Sequence, residues 1–176
     1  MFQPDLSPNQ FLASGAESTL AVGRLDKTHE FPRGETSEEF HEKLAWLCTN
    51  EQVQQARGFH LCDLCPPMDS LGTHGVVLKG SLDKREYLLG TAEIRVRDAN
   101  VTFAAPNLVL HYVVDHAYLP PEGFVRAVLA SSQRLQRSSW TILRGPYWET
   151  KQPPLGRRER RTFRGRFRRW LARLWR

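Results

Sequence analysis

Apolar and polar positions alternate along this chain with two different periods, and the changes of period mark its elements. Between Thr36 and Ala56, Phe40, Leu44, Leu47 and Cys48 fall on one helical stripe, with Glu38 and Glu39 at its positive end. Thr36 or Ser37 can cap this helix and Gly58 can stop it, so a helix is predicted over about 36 to 56. Short apolar runs follow at Gly75 to Lys79 and Glu86 to Leu89, around Gly80-Ser81-Leu82-Asp83. Two more, Thr91 to Val96 and Val101 to Ala104, flank Arg97-Asp98-Ala99-Asn100. These read as one or two β-hairpins.

Helical spacing returns at Leu108, Val109, Tyr112 and Val113, with Pro106 suited to a first turn and Leu119-Pro120-Pro121 ending the run. That predicts a helix over about 106 to 117. Pro121 opens another, over about 121 to 136, with Phe124, Val125, Val128 and Leu129 on its buried side. Residues 1 to 34 show no sustained period and read as an extended lead-in, and 138 to 156 as irregular packing followed by a linker. The implied organisation is an N-terminal segment 1–34, a globular α+β domain 35–150, and a linker and tail 151–176.

Composition narrows the class. A chain of 176 residues suits one domain, with 40% hydrophobic and 25% charged residues near soluble-protein averages. Cys48, Cys62 and Cys65 are an odd number, and no apolar export segment lies near Met1, so a reducing, cytoplasmic setting is expected rather than a disulfide scaffold. The apolar runs around Leu108 to Val114 and Phe124 to Ala130 fall far short of the roughly 20 residues needed to span a bilayer.

The candidate chemistry lies in cysteine and histidine. Cys62-x2-Cys65, followed after 45 residues by His111-x4-His116, has pair spacings that suit zinc. Two soft thiolates from a tight turn and two imidazoles from a helix end make a donor set that zinc prefers. The order knuckle, β-hairpin, helix is treble-clef-like, so the site is expected to be structural. Residues five apart on an ideal helix are separated by about 140°, so the helix is expected to unwind near His116 for both rings to face one point. Asp115 is the nearest substitute ligand, His60 and His74 are spare ligands, and Cys48 is read as packing.

Catalytic patterns are scarce. No His-x-Glu precedes the cysteines, as a zinc deaminase would require, and two prolines follow Cys65 where a redox dithiol would start a helix. Nucleophile elbows, phosphate loops and His-Glu-x-x-His are absent from the sequence. If the metal were catalytic, Glu93 and Asp115 would be the acids nearest to it. The simpler account of Glu93 is a salt bridge to Arg95 on the same strand face. Nothing implies a small-molecule substrate.

The charge of the chain is divided. Ten of the 25 Lys+Arg lie between Arg157 and Arg176 against Glu159 alone, giving that tail +9 and leaving the preceding body at −3. Phe163, Phe167, Trp170, Leu171, Leu174 and Trp175 fall within an arc of roughly 140° on a helical wheel. Arg164, Arg166, Arg168, Arg169 and Arg173, with Trp170 and Trp175, are the residues expected to meet an anionic partner. An anionic membrane surface, at the inner membrane face, suits the amphipathic pattern. An acidic protein or nucleic acid could use the same residues.

The segment Arg57-Gly58-Phe59-His60-Leu61-Cys62-Asp63-Leu64-Cys65, then Gly90-Thr91-Ala92-Glu93-Ile94-Arg95-Val96, then Ala105-Pro106-Asn107-Leu108 leading into His111-Tyr112-Val113-Val114-Asp115-His116-Ala117-Tyr118, resembles an uncharacterised family of small bacterial proteins. The run closes with Pro120-Pro121-Glu122-Gly123-Phe124-Val125-Arg126-Ala127-Val128. The resemblance covers about 57 to 129 and implies a bacterial, intracellular, zinc-holding domain without naming a substrate. The leading expectation is a non-enzymatic binding or adaptor module stabilised by structural zinc. A metal-dependent hydrolase or nuclease is the alternative.

Overall fold

A computed structural model describes residues 2–10, 19–56, 58–66, 75–80, 85–131 and 140–145. The fold is α+β. In chain order it contains β1 (Thr19–Ala21), α1 (Glu38–Asn50), β2 (Gln52–Val53), β3 (Gly75–Gly80), β4 (Glu86–Leu88), β5 (Glu93–Asp98), β6 (Val101–Pro106), α2 (Val109–His116), α3 (Glu122–Ala130) and β7 (Trp140–Gly145). The strands form two sheets, ordered β1-β6-β5-β2 and β4-β3-β7. The one or two hairpins read from the sequence correspond to two antiparallel pairings: β3 with β4, and β5 with β6 in the register Ile94 to Ala105 and Val96 to Phe103.

Helices α1 and α3 start close to where their caps predict. Ser37 accepts the N–H of Phe40 and so caps α1, and Pro121 takes the N-cap position of α3. Helix α2 starts later than expected: Pro106, read as a first-turn proline, instead closes β6 opposite Glu93, and the helix begins at Val109. The ends of α1 and α3 differ from expectation. Helix α1 stops at Asn50 rather than about residue 56, because Gln52 and Val53 pair with Ile94 and Glu93 as an edge strand and Gln54 then adopts φ +49°. Strand pairing, not Gly58, terminates it. Helix α3 ends at Ala130, where the Ser131 N–H closes the last turn on the Ala127 and Val128 carbonyls.

Two regions without a periodic signal contribute strands. From the N-terminal segment, β1 joins the four-stranded sheet, running parallel to β6 with Leu20 opposite Phe103. Ala21, Val22 and Leu25 beside it are buried. Within 138 to 156, residues 140–145 form β7, which pairs with β3 from Gly75–Gly145 to Gly80–Trp140. The irregular reading there is corrected: Trp140-Thr141-Ile142 is β-favouring, but its partner strand lies some 60 residues away in sequence and no local signal names it.

One core joins the helices to the four-stranded sheet. Phe124 of α3 meets Phe40 of α1 and Phe103 of β6 edge to face, with centroids 6.4 and 6.0 Å apart. Leu44, Ile94, Leu108 and Leu110 are fully buried around them, each contributing about 1.5–3 kcal/mol by leaving water. Cys48 is packed in this core with its thiol pushed up by burial, as its reading as a packing residue requires. Lys43 is also buried, and its ammonium donates to the Leu129 carbonyl at the negative end of α3.

Candidate metal centre

The knuckle and α2 bring together the four residues singled out by spacing. Cys62, Cys65, His111 and His116 each offer one donor atom, and all four donors lie within 4.8 Å of one another. The Cys65 sulfur is 3.2 Å from His111 Nε2 and 3.4 Å from His116 Nε2. The Cys62 sulfur is 3.3 Å from His116 Nε2, and the two imidazole nitrogens are 3.2 Å apart. A tetrahedral zinc ion with ordinary bond lengths spaces sulfur and nitrogen ligands by about 3.3–3.6 Å. The donor set and these four spacings are compatible with such an ion.

Local structure prepares each ligand. The turn after Cys62 directs the backbone N–H groups of Leu64 and Cys65 at the Cys62 sulfur, which favours its thiolate. Burial and the neighbouring Cys65 act the other way and push the Cys62 thiol up to about 12. Cys62 and Cys65 would hold a divalent cation as thiolates, and the ion's charge would offset that burial. On α2, the Asp115 carboxylate lies 2.5 Å from His111 Nδ1. The Nδ1 proton is thereby fixed, and the Nε2 lone pair faces the cluster. Asp115 thus orients His111 and is not among the four converging donors.

The 140° problem of the His-x4-His spacing is met as expected, by a helix that ends at His116: Ala117 then reverses the chain in the left-handed region at φ +53°. His116 occupies the final helical position, where its ring swings edge-on to that of His111 with centroids 4.8 Å apart. The lead-in holds this end in place. Arg33 donates to the His116 carbonyl at 2.9 Å, Gly34 N–H to Ala117 at 3.0 Å, and Leu119 N–H to Pro32 at 2.9 Å. Asp5 adds a brace, accepting the Tyr118 hydroxyl at 2.7 Å and the Gly23 N–H at 2.8 Å.

Burial differs among the ligands. His111, Cys62 and Cys65 are buried, whereas His116 is partly exposed and borders a cleft of about 500 Å³ that also touches Asp26, His29 and Arg33. The His29 side chain, at 2.8 Å, leads the contacts that hold the Asp26 carboxyl down to about 2. Asp26 therefore has no proton to exchange near neutral pH, which makes it a poor general acid or base.

Other residues named from the sequence are placed elsewhere or lie outside the described residues. His60 stands away from the cluster, at the rim of a separate cavity with Glu93. Glu93 does approach Arg95, at 3.9 Å, but its main partner is Arg24, which the sequence could not single out from other arginines. His74, Arg164, Arg166, Arg168, Arg169, Trp170, Arg173 and Trp175 lie outside the described residues.

Fold and site together define a small α+β domain organised around a Cys2His2 cluster compatible with a metal ion. The family is shown by the sequence: residues 1–129 match the model described as Domain of unknown function (DUF7919), and the chain belongs to that family. No curated protein matches the chain, and no solved structure does.

Proposed function

We propose that this chain is a non-enzymatic binding or adaptor module, fixed by a structural zinc ion at Cys62, Cys65, His111 and His116 and carried to an anionic surface by its basic tail. The observation that carries the first half is the closed donor set: two sulfurs and two nitrogens meet within 4.8 Å, three of the four residues buried. Four protein ligands fill a tetrahedron and leave no position for a substrate or an activated water, which is the pattern of structural sites. Zinc is favoured over harder ions because thiolate and imidazole are soft or borderline donors.

The second half is supported by the tail's charge of +9 against a body of −3, with large aromatics recurring at helical spacing among the arginines. No helix among the described residues is long and apolar enough to cross a membrane, so any membrane contact by those helices would be peripheral.

Elemental analysis of the purified chain tests the zinc. About one equivalent is expected in the parent and much less in Cys62→Ser. A parent free of bound metal after expression and reconstitution overturns the site. Co-sedimentation with anionic and neutral vesicles, comparing the full chain with one cut after Pro154, tests the tail. Equal binding by both forms overturns the anchor. The hydrolase alternative needs a ligand to leave, and the cleft beside His116 is where a substrate would enter. Metal-dependent cleavage of RNA or plasmid DNA by the parent, lost in Asp115→Asn, would replace the adaptor reading with it.

A further inference from the structure

The four ligands of the metal centre are unequally enclosed. Cys62, Cys65 and His111 are buried, and His116, the partly exposed member, borders the cleft of about 500 Å³. Apart from His116 itself and Leu64 of the knuckle, every residue lining that cleft comes from one stretch of the lead-in, between Asp26 and Arg33. This stretch lies beside the one ligand that solvent reaches. We propose, resting on the reading of the four residues as a zinc site, that it is a strap controlling exchange of the ion: His116 is the ligand that opens first, and the segment from Asp26 to Arg33 sets how fast the site gains and loses its metal.

His116 differs from the other ligands in what holds it. His111 lies within α2, fully buried, with its second ring nitrogen 2.5 Å from Asp115. The two cysteines share the knuckle turn, whose Leu64 and Cys65 N–H groups are directed at the Cys62 sulfur. His116 is the last residue of α2, beside the left-handed Ala117, and the lead-in braces that end: Arg33 donates to the His116 carbonyl at 2.9 Å and Gly34 N–H to that of Ala117 at 3.0 Å. A helix end lacks the intrahelical partners that its interior has, so it is the first part of a helix to open. A competing donor reaches His116 through the cleft, and the ring can yield once the braced last turn swings away.

The strap is fastened at its ends and exposed between them. Leu25, just before it, is buried, whereas Lys27, Thr28, His29 and Glu30 are exposed. The middle is folded on itself, with the Asp26 carboxylate accepting the Thr28 and His29 N–H groups at 3.0 and 3.2 Å. At the far end Phe31 packs against the core and meets Tyr118 edge to face at 6.1 Å, the Arg33 guanidinium lies 4.4 Å above the Phe31 ring, and Leu119 N–H donates to the Pro32 carbonyl at 2.9 Å. Surface polar contacts hold a segment weakly, and a segment with few buried apolar contacts opens at a lower free energy than the whole domain. Phe31 is the strap residue with an aromatic ring packed on the core, so it is the anchor on which closure depends.

Release of zinc from the loaded full chain into an excess of a chromogenic chelator measures the rate, and competition at equilibrium measures affinity on the same samples. Phe31→Ala, which removes the anchor and no ligand, is expected to speed release about 10-fold and to change the affinity less than about 3-fold. Glu30→Trp, which crowds the cleft from its exposed rim, is expected to slow release about 3-fold. Ile94→Val, a small cut in the core, is expected to leave the rate within about 2-fold of the parent, because opening is local. Hydrogen exchange reads the strap directly: the Gly34 and Leu119 amides are expected to exchange about 10-fold faster in loaded Phe31→Ala, with those of β5 and β6 at the parent rate. Parent-like release in Phe31→Ala or Glu30→Trp, a rise in release matched by an equal loss of affinity, equal acceleration by Ile94→Val, or unchanged exchange at Gly34 and Leu119 overturns the strap while the zinc site stands. A parent that holds no zinc removes the strap together with the reading on which it rests.

Discussion

The side-chain oxygen of Asn107 accepts the backbone N–H of Gly90 at 2.7 Å, and that contact ties together the two halves of the metal centre. Asn107 lies two residues before α2, which carries both histidines. Gly90 accepts the His60 N–H at 2.7 Å, two residues before the first cysteine. The same oxygen also accepts from Thr91 N–H at 3.2 Å, and Asn107 is fully buried. Replacing Asn107 with Ala leaves these amides without an acceptor, at a cost of about 2–4 kcal/mol. Urea denaturation reads the loss, and a variant within 0.5 kcal/mol of the parent, roughly the scale of neutral surface changes, would show that the contact is dispensable.

Gly90 itself is required by geometry. It sits at φ +86°, and a β-carbon there would lie 2.2 Å from the His60 carbonyl oxygen, a backbone atom that cannot swing aside. Gly90→Ala is expected to cost more than about 2 kcal/mol, from left-handed strain and the clash together. Gly58→Ala, where a β-carbon meets nothing within 4 Å, is expected to stay within about 0.5 kcal/mol. The pair of melting curves tests the contrast, and equal shifts would argue against it.

Asp115 is expected to govern metal affinity without being a ligand. Its carboxylate fixes the His111 tautomer at 2.5 Å, so Asp115→Asn weakens that hold and should lower zinc affinity about 10- to 100-fold. Competition against a chromogenic chelator measures the change. Circular dichroism of the zinc-saturated variant should match the parent, and unaltered affinity would remove Asp115 from the site's second tier of contacts.

The buried ion pair yields a test by cancellation. Glu93→Ala strands the Arg24 guanidinium in a site where both side chains are nearly covered, and is expected to cost about 3 kcal/mol. Combining Arg24→Met with Glu93→Leu removes both charges together and should recover most of that loss. Additive losses in the double variant would mean that the two residues act separately.

The parts of the fold that could be read in advance are those whose partners are close in sequence. Ser37 capping Phe40, the hairpin β5–β6 and the turn of Cys62 and Cys65 each depend on contacts within a few residues, and so leave a local signature. The metal centre was legible for another reason: cysteine and histidine at fixed spacings restrict the chemistry before any geometry is known. Strand β1, strand β7 and the Arg24–Glu93 pair left no such mark, because their partners are some 60 to 80 residues away.

Side-chain type and short-range spacing thus determined the starts of α1 and α3, the hairpins and which four residues were candidate donors, since those depend on local sterics and donor chemistry. Tertiary structure alone decided that Asp115 supports His111 and that the N-terminal lead-in clamps the end of α2. These outcomes rest on contacts between distant segments, such as Arg33 with the His116 carbonyl, whose formation no periodicity encodes. The packing of the whole chain fixes which of many chemically equivalent polar groups become partners.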